Sequence, residues 1–279
     1  MQQNTFLSSS STGFHKIAYT EWGSATSKVP VICVHGLTRN GRDFDWLADA
    51  LQSTRKIFCP DIPGRGKSDW LKDPALYGYP QYTVDMTAMI ARATDGTQQI
   101  DWVGTSMGGI IGMLLASMPN SPIRRLVIND VGPFIPLAAL KRISDYVSMV
   151  AEFVDVDQLE RHLRVIYAPF GITEDKDWRR MAENSCRTLP NGKLALAHDP
   201  AIARNFAALD KDVDFWPLYD QIRCPTLLIH GAQSDILTAE TAHEMTQRGP
   251  KARLVEFPTG HAPALIDKTQ IEVIAEFLA

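Results

Sequence analysis

The strongest constraint on the fold is a rhythm. Short apolar runs, rich in β-branched residues, alternate with stretches whose apolar residues fall at helical spacing. "KVPVICVHG" (28–36), "RKIFCPDIPG" (55–64), "QIDWVGTS" (99–106) and "IRRLVINDVGP" (123–133) read as buried strands. Between them, "FDWLADALQS" (44–53), "VDMTAMIARAT" (84–94) and "MGGIIGMLLASM" (107–118) read as helices, the last apolar all round and hence buried. Strands separated by helices require crossover connections, and crossovers make a parallel sheet. The expected class is α/β.

The rhythm stops after Pro133. From about Pro136 to Leu209 the pattern is helical, with no convincing strand. Leu137, Leu140, Ile143, Val147 and Val150 follow one helical face, and Leu159, Leu163 and Ile166 follow another. Alternation resumes with "CPTLLIHGAQSD" (224–235), "ARLVEFPTGH" (252–261) and a closing helix at "KTQIEVIAEFL" (268–278). The expected organisation is a core of residues 1–133 and 216–279, with a helical cap at 134–215 laid over the sheet.

Bulk properties exclude some functions. A formal charge of −4 over 279 residues leaves no basic footprint, so nucleic acid is not expected as a partner. No apolar run reaches the roughly 18 residues of a membrane span, and "MQQNTFLSSSSTGF" has neither the charged nor the apolar region of a signal peptide. Cys33, Cys59, Cys186 and Cys224 lie far apart without metal-binding spacing, which suits reduced thiols in a cytoplasmic protein. No metal or organic cofactor is expected.

One short stretch carries the chemistry. Gly104-Thr105-Ser106-Met107-Gly108 fits G-x-S-x-G, placed where a strand gives way to a buried helix. A serine in so tight a turn needs small neighbours, because strand and helix backbones pass close together. The hydroxyl becomes a nucleophile only if a base takes its proton and an acid orients that base. His261, in the Gly- and Pro-rich "PTGHAPAL" after the last strand, is the expected base. His35 and His230 read as satisfied structural histidines; His15, His162, His198 and His243 read as terminus or helix surface. Asp235, after "LLIHGAQS", completes the chain order Ser, Asp, His that accompanies this turn.

With these residues in view, the chain resembles the α/β-hydrolase family over nearly its whole length, through "VICVHGLTRN", "CPDIPGRGKSD", "VGTSMGG", "LLIHGAQSD" and "GHAPAL". The resemblance implies a mostly parallel sheet flanked by helices, and an oxyanion hole formed by the backbone N–H groups of Leu37 and Met107. Helix initiation at Met107 agrees, since free amides there favour negative charge. Some members place the acid after an earlier strand, where this chain has Asp130. Asp235 is the first choice because strand–Gly–x–x–x–Asp is the commoner family pattern, and Asp130 is the alternative.

Ser106 also separates branches of the family. Relatives that displace halide or open epoxides carry Asp at this position, so a serine points to acyl transfer. Hydrolases of C–C bonds use serine but usually have Asn before it and Trp after the histidine, where this chain has Thr105 and Ala262. The expected activity is hydrolysis of a small carboxylic ester or related acyl compound through an acyl-enzyme. C–C hydrolysis, cofactor-free haloperoxidase-like or perhydrolase activity, and a non-catalytic small-molecule receptor remain the alternatives. In the cap, Tyr146, Phe153, Tyr167, Phe170, Trp178 and Phe206 are expected mainly to pack its core. Arg142, Arg161, Arg164, Arg179, Arg180 and Arg187 are expected mainly on solvated helix faces, with binding of a substrate carboxylate as the alternative for any one of them.

Overall fold

A computed structural model describes residues 1–24, 29–96, 98–147, 151–207 and 210–279. Val150 and the side chains of Tyr146 and Phe206 lie outside the described residues.

Six parallel strands form the centre, and all six coincide with apolar runs read from the sequence. A hairpin, β1 (Gln2–Ser10) and β2 (Gly13–Trp22), precedes β3 (Val31–Val34), β4 (Ile57–Pro60), β5 (Ile100–Thr105) and β6 (Ile123–Asn129). Two short pieces, β7 (Phe134–Ile135) and β8 (Glu152–Phe153), then β9 (Cys186–Thr188), β10 (Leu194–Leu196) and β11 (Val213–Asp214), lie in the insertion. β12 (Thr226–Gly231) and β13 (Arg253–Phe257) return to the main sheet. Its order is β1-β2-β4-β3-β5-β6-β12-β13, antiparallel at β1–β2 and β2–β4 and parallel elsewhere.

Both faces of β3, β4 and β12 are buried along their whole length, which is why these strands read as apolar runs, whereas the edge strand β13 is partly exposed. Along β3, Ile32 and Val34 point to one face; Val31 and Cys33 point to the other. The first face packs on α2 (Tyr79–Thr94), through Tyr82, Met86 and Met89, and on α3 (Met107–Ser117), through Ile110 and Ile111. The second packs on α1 (Asp45–Leu51) and α10 (Lys268–Leu278), through Leu47, Leu51, Ile274 and Leu278.

The insertion holds α4 (Leu137–Val147), α5 (Val156–Ile166), α6 (Asp175–Asn184) and α7 (Ala203–Ala207), before α8 (Trp216–Tyr219) and, beyond β12, α9 (Ala239–Met245). Leu159 and Leu163 of α5 bury themselves against Trp178 and Met181 of α6, forming a core separate from the sheet's. The helical patterns hold here, but the expected absence of strands does not. β8, β10 and β9 make a small antiparallel sheet, and β7 pairs with β11 through Phe134↔Asp214 and Ile135↔Val213. Strands of two or three residues are too short to display a period of two. The β7–β11 pair brings the insertion's entrance and exit together.

The N-terminal hairpin is a second departure. Its first strand is polar and largely exposed, so it lacks the alternation that marks a strand. His15, expected at a free terminus, is buried in β2, its Nε2 3.0 Å from Asp85 of α2.

Candidate active site

Ser106 sits between the end of β5 and the start of α3 with φ 52° and ψ −114°, a conformation that L-residues seldom adopt. The flanking glycines permit it. A Cβ on Gly104 would strike the Gly108 carbonyl, and one on Gly108 would strike the Val34 carbonyl on the neighbouring strand. Gly109 is tight against Val131, whose Cγ1 would lie 2.7 Å from an added Cβ. The Ser106 N–H donates to the Asn129 carbonyl at 2.9 Å, which ties the turn to the end of β6.

His261 arrives from the loop after β13. That loop is fastened on two sides: Asn129 Nδ2 donates to the Pro263 carbonyl at 2.9 Å, and the Gly260 N–H donates to the Pro169 carbonyl at 2.8 Å. Asn129 Nδ2 also lies 3.0 Å from Thr105 Oγ1, so one buried amide spans the serine turn and the histidine loop. The imidazole Nε2 is then 3.0 Å from Ser106 Oγ, and Nδ1 is 2.8 Å from Asp130 Oδ2. A carboxylate only accepts, so Nδ1 carries the hydrogen and Nε2 is left to accept from the serine hydroxyl. The arrangement can draw a proton from Ser106 while holding the imidazole in one tautomer.

The carboxylate in contact with His261 is therefore Asp130, the alternative position, and not Asp235. Asp130 is fully buried in the turn directly after β6, with φ 57°. Its Oδ1 accepts from the Gly231 N–H at 2.8 Å, and its own N–H donates to the Ile229 carbonyl at 2.8 Å. Asp235 is 56% exposed, with Oδ2 2.7 Å from Arg142 Nη2. Local packing explains why it faces out. Ser234 Oγ accepts from the N–H groups of Ile236 and Leu237, both buried, and the side chain just before them is turned to solvent.

The two residues named for the oxyanion hole line the same cavity as Ser106. Met107 is the first residue of α3, where backbone N–H groups lack intrahelical partners, and Leu37 follows Gly36 in the loop beyond β3. Sequence reasoning missed what holds them. The wholly buried Arg65 donates from Nε to the Leu37 carbonyl at 2.8 Å, from Nη1 to the Pro63 carbonyl and the Tyr82 hydroxyl, and from Nη2 toward Met107 Sδ at 3.7 Å. Its signal lies in "DIPGRGKSD" (61–69), where a lone arginine stands between two glycines. Asp61 and Ser68 in the same loop act structurally: Asp61 accepts from the N–H groups of Gly41 and Lys67, and Ser68 donates to the Asp61 carbonyl.

His35 is buried beside this loop. Its Nε2 accepts from the Ile62 N–H at 2.9 Å, Nδ1–H donates to the Gly36 carbonyl at 2.7 Å, and burial pushes its pKa down to about 3. His230 likewise contacts the Leu237 carbonyl and Glu256. Both are structural, as read. His198, read as surface, is buried instead, and burial lowers its pKa to about 4.

Ser106 and His261 open into a cavity of about 560 Å³ between the C-terminal ends of the parallel strands and the insertion. One wall is apolar, formed by Met107, Ile110, Val131, Ile135, Leu140 and Ile143. Of the insertion aromatics, Tyr167 and Phe170 border the cavity, while Phe153 and Trp178 pack into the insertion's own core. Of the candidate arginines, only Arg142 borders it. Arg164 pairs with Glu160 and Asp175, Arg179 with Asp157, and Arg180 with Asp45, while Arg187 lies over the Trp70 ring. Among the described residues no helix is long and apolar enough to cross a membrane, and no group of three His, Cys, Asp or Glu side chains is placed to hold a metal.

Comparison with known proteins agrees with this architecture. Residues 29–268 match the alpha/beta hydrolase fold family. A 3-hydroxybutyrate-oligomer hydrolase of Cupriavidus necator is 39% identical over 278 residues, spanning 96% of this chain and 94% of the relative. An esterase of Mycobacterium tuberculosis is 28% identical over 88% of this chain and 80% of its own length. The solved structure of an alpha/beta hydrolase from Novosphingobium aromaticivorans superposes with a TM-score of 0.88 at 35% identity, covering 99% of this chain and 97% of the other. The chain belongs to the alpha/beta hydrolase fold family and is a hydrolase acting on ester bonds.

Proposed function

We propose that this chain cleaves short oligomers of a 3-hydroxy acid, of the 3-hydroxybutyrate kind, by a serine acyl-enzyme mechanism. The observation that carries the mechanism is the continuous hydrogen-bond chain Ser106 Oγ, His261, Asp130. His261 takes the Ser106 proton as Oγ attacks the ester carbonyl, and Asp130 stabilises the imidazolium that forms. The N–H groups of Leu37 and Met107 receive the oxyanion, each such donor being worth about 3 kcal/mol in the transition state. As the tetrahedral intermediate collapses, the C–O bond of the ester breaks and His261 gives its proton to the leaving alcohol. Water, activated by the same imidazole, then releases the acyl group from Ser106.

Two observations support the substrate class. The long relative at 39% identity acts on 3-hydroxybutyrate oligomers. The apolar wall of Ile110, Val131, Leu140 and Ile143 suits a chain bearing a methyl group on every unit. In this reading residues 134–215 are the cap that closes the cavity.

Replacing Ser106 by Ala tests the mechanism. Hydrolysis of p-nitrophenyl butyrate and of a 3-hydroxybutyrate trimer should fall by about 10⁴-fold or more. Equal turnover by the variant and the wild type overturns the serine mechanism. Saturable binding by a wild-type protein that turns over neither ester makes it a receptor instead.

A further inference from the structure

Two arginines border the cavity among the described residues, and they differ in what they can offer a ligand. Arg39 is closed on itself. Its side chain is 5% exposed, Nε and Nη2 donate to the two oxygens of Asp43 at 2.9 and 2.6 Å, Nη1 donates to Ser185 at 2.9 Å, and the Tyr167 ring covers it. Arg142 stands open: it projects from α4 with its side chain half exposed, and the partner that it meets, Asp235, is half exposed as well.

We propose that Arg142 is the anchor for the free carboxylate of the substrate, received in exchange for Asp235. The proposal rests on the serine-esterase reading above. The Asp235 oxygen 2.7 Å from Nη2 already shows where a carboxylate oxygen sits on this guanidinium. An ion pair so exposed contributes little to stability, so exchanging one carboxylate for another is easy. A guanidinium also presents a planar fork that matches a carboxylate with two parallel hydrogen bonds. Leu140 and Ile143, on the same helix, place apolar wall beside the charge. A ligand with an aliphatic body and one anionic end fits that pairing, and an oligomer of a hydroxy acid has that form.

The chemistry of such an oligomer then sets a direction. In a linear chain of hydroxy acids, the alkoxy side of every ester bond leads toward the free carboxylate. The piece held by Arg142 is therefore always the leaving alcohol, and the piece left on Ser106 always carries the hydroxyl end. Attack forms the Ser106 Oγ–carbonyl bond and breaks the carbonyl–alkoxy bond. The alkoxide takes its proton from His261, and the anchored carboxylate is chemically untouched. The chain is thus shortened from its carboxylate end, in steps set by the span from Ser106 to Arg142. The released hydroxy acid keeps its carboxylate, so it competes for Arg142 as a product inhibitor.

The test compares a 3-hydroxybutyrate trimer with the same trimer capped as a terminal carboxamide, which removes the charge without adding an ester. In wild type, kcat/KM should favour the free acid. In Arg142→Gln that preference should fall about tenfold, mainly through KM, the size expected for losing a charge-assisted contact. Asp235→Asn, which removes the competing carboxylate, should raise the preference. From a tetramer labelled in its carboxylate-terminal unit, label should leave first, in the shortest fragment. Equal slowing of both trimers by Arg142→Gln, or release of label at random, overturns the anchor. Ser106→Ala is read on the same two trimers. Its loss of both activities leaves the serine mechanism standing whatever the Arg142 ratio proves to be, and the wild-type preference is measurable whatever Ser106 does.

Discussion

Asp130 and Asp235 follow two neighbouring parallel strands of one sheet, β6 and β12, and their surroundings are opposite. Asp130 comes one residue after its strand. Its backbone is held at φ 57° by a bond to Ile229, and both its carboxylate oxygens are engaged, one with Gly231 and one with His261. Asp235 comes four residues after Gly231, on the outer side of a turn, half in solvent and paired with Arg142. An aspartate near the end of a strand thus has no fixed task. The few backbone bonds after the strand decide whether its carboxylate meets His261 or stands half in solvent beside Arg142.

The largest effect that can break this contrast is on turnover. Asp130→Asn preserves the shape but takes away the accepting carboxylate that selects the imidazole tautomer. Hydrolysis of p-nitrophenyl butyrate should fall by about 10⁴-fold, whereas Asp235→Asn should change it by less than about tenfold. The reverse ranking would return Asp235 to the role that its position in the sequence suggested.

Why the sequence ranked the two aspartates the other way is a physical matter. Apolar runs and the glycines at 104 and 108 are local signals, and they pointed to strands and to a tight turn that the structure has; the order of Ser, Asp and His fits Asp130 and Asp235 alike. The six parallel strands, α1, α3 and α10 were legible on that basis, as was the meeting of Ser106 with His261. Choosing between Asp130 and Asp235 depends on what each carboxylate meets, and the partners of Asp130, Gly231 and His261, come from segments about a hundred residues or more away in sequence. Arg65 escaped for the same reason, since it acts on Leu37 and Met107 across three segments. The hairpin β1–β2 escaped because a polar edge strand hides its period.

Gly231 joins the two halves of the contrast. Its N–H supports Asp130, and four residues later its chain presents Asp235. A Cβ there would run into the Gly260 carbonyl, beside His261. Gly231→Ala should therefore destabilise the fold by about 2–4 kcal/mol, as other backbone clashes in buried positions do. It should also lower kcat more than KM, because it moves Asp130 and the His261 loop together. Denaturant melts and kinetics on one variant check both; an unchanged melt would show that the two loops can separate freely.

Buried and exposed charge also differ in how they answer pH. Burial depresses His35 to about 3 and His198 to about 4, so the folded chain keeps both neutral where the unfolded chain binds protons. Their stability contribution is present above the unfolded pKa near 6.5 and is lost as pH falls below it, by about 2 kcal/mol each between pH 7 and 5. Asp61 opposes them. Burial raises it to about 6, so the folded chain binds a proton there first and recovers about 1 kcal/mol over the same interval. Asp85, raised by burial too, acts in the same sense as Asp61. The net expectation is a loss of about 2 kcal/mol from pH 7 to 5, read from urea midpoints. A flat profile would mean that these histidines take up protons without unfolding the chain.

The smallest effect belongs to the exposed pair. If Arg142 and Asp235 form a latch that holds the insertion down, their coupling must be substantial, since α4 and the loop after β12 are bridged at that point. If the pair is an exchangeable contact, as a carboxylate anchor requires, the coupling must be slight. Side chains 51% and 56% exposed are screened by water and pay entropy for holding one geometry. A double-mutant cycle with Arg142→Gln and Asp235→Asn should give a coupling to stability of no more than about 1 kcal/mol, weakening further in salt. The same cycle scored on the free-acid trimer should not be small, because Asp235 competes there with the substrate for one guanidinium. A pair nearly silent in folding and audible in KM is what separates a binding contact from a structural one, and a coupling above about 2 kcal/mol in the melts would assign Arg142 to the scaffold instead.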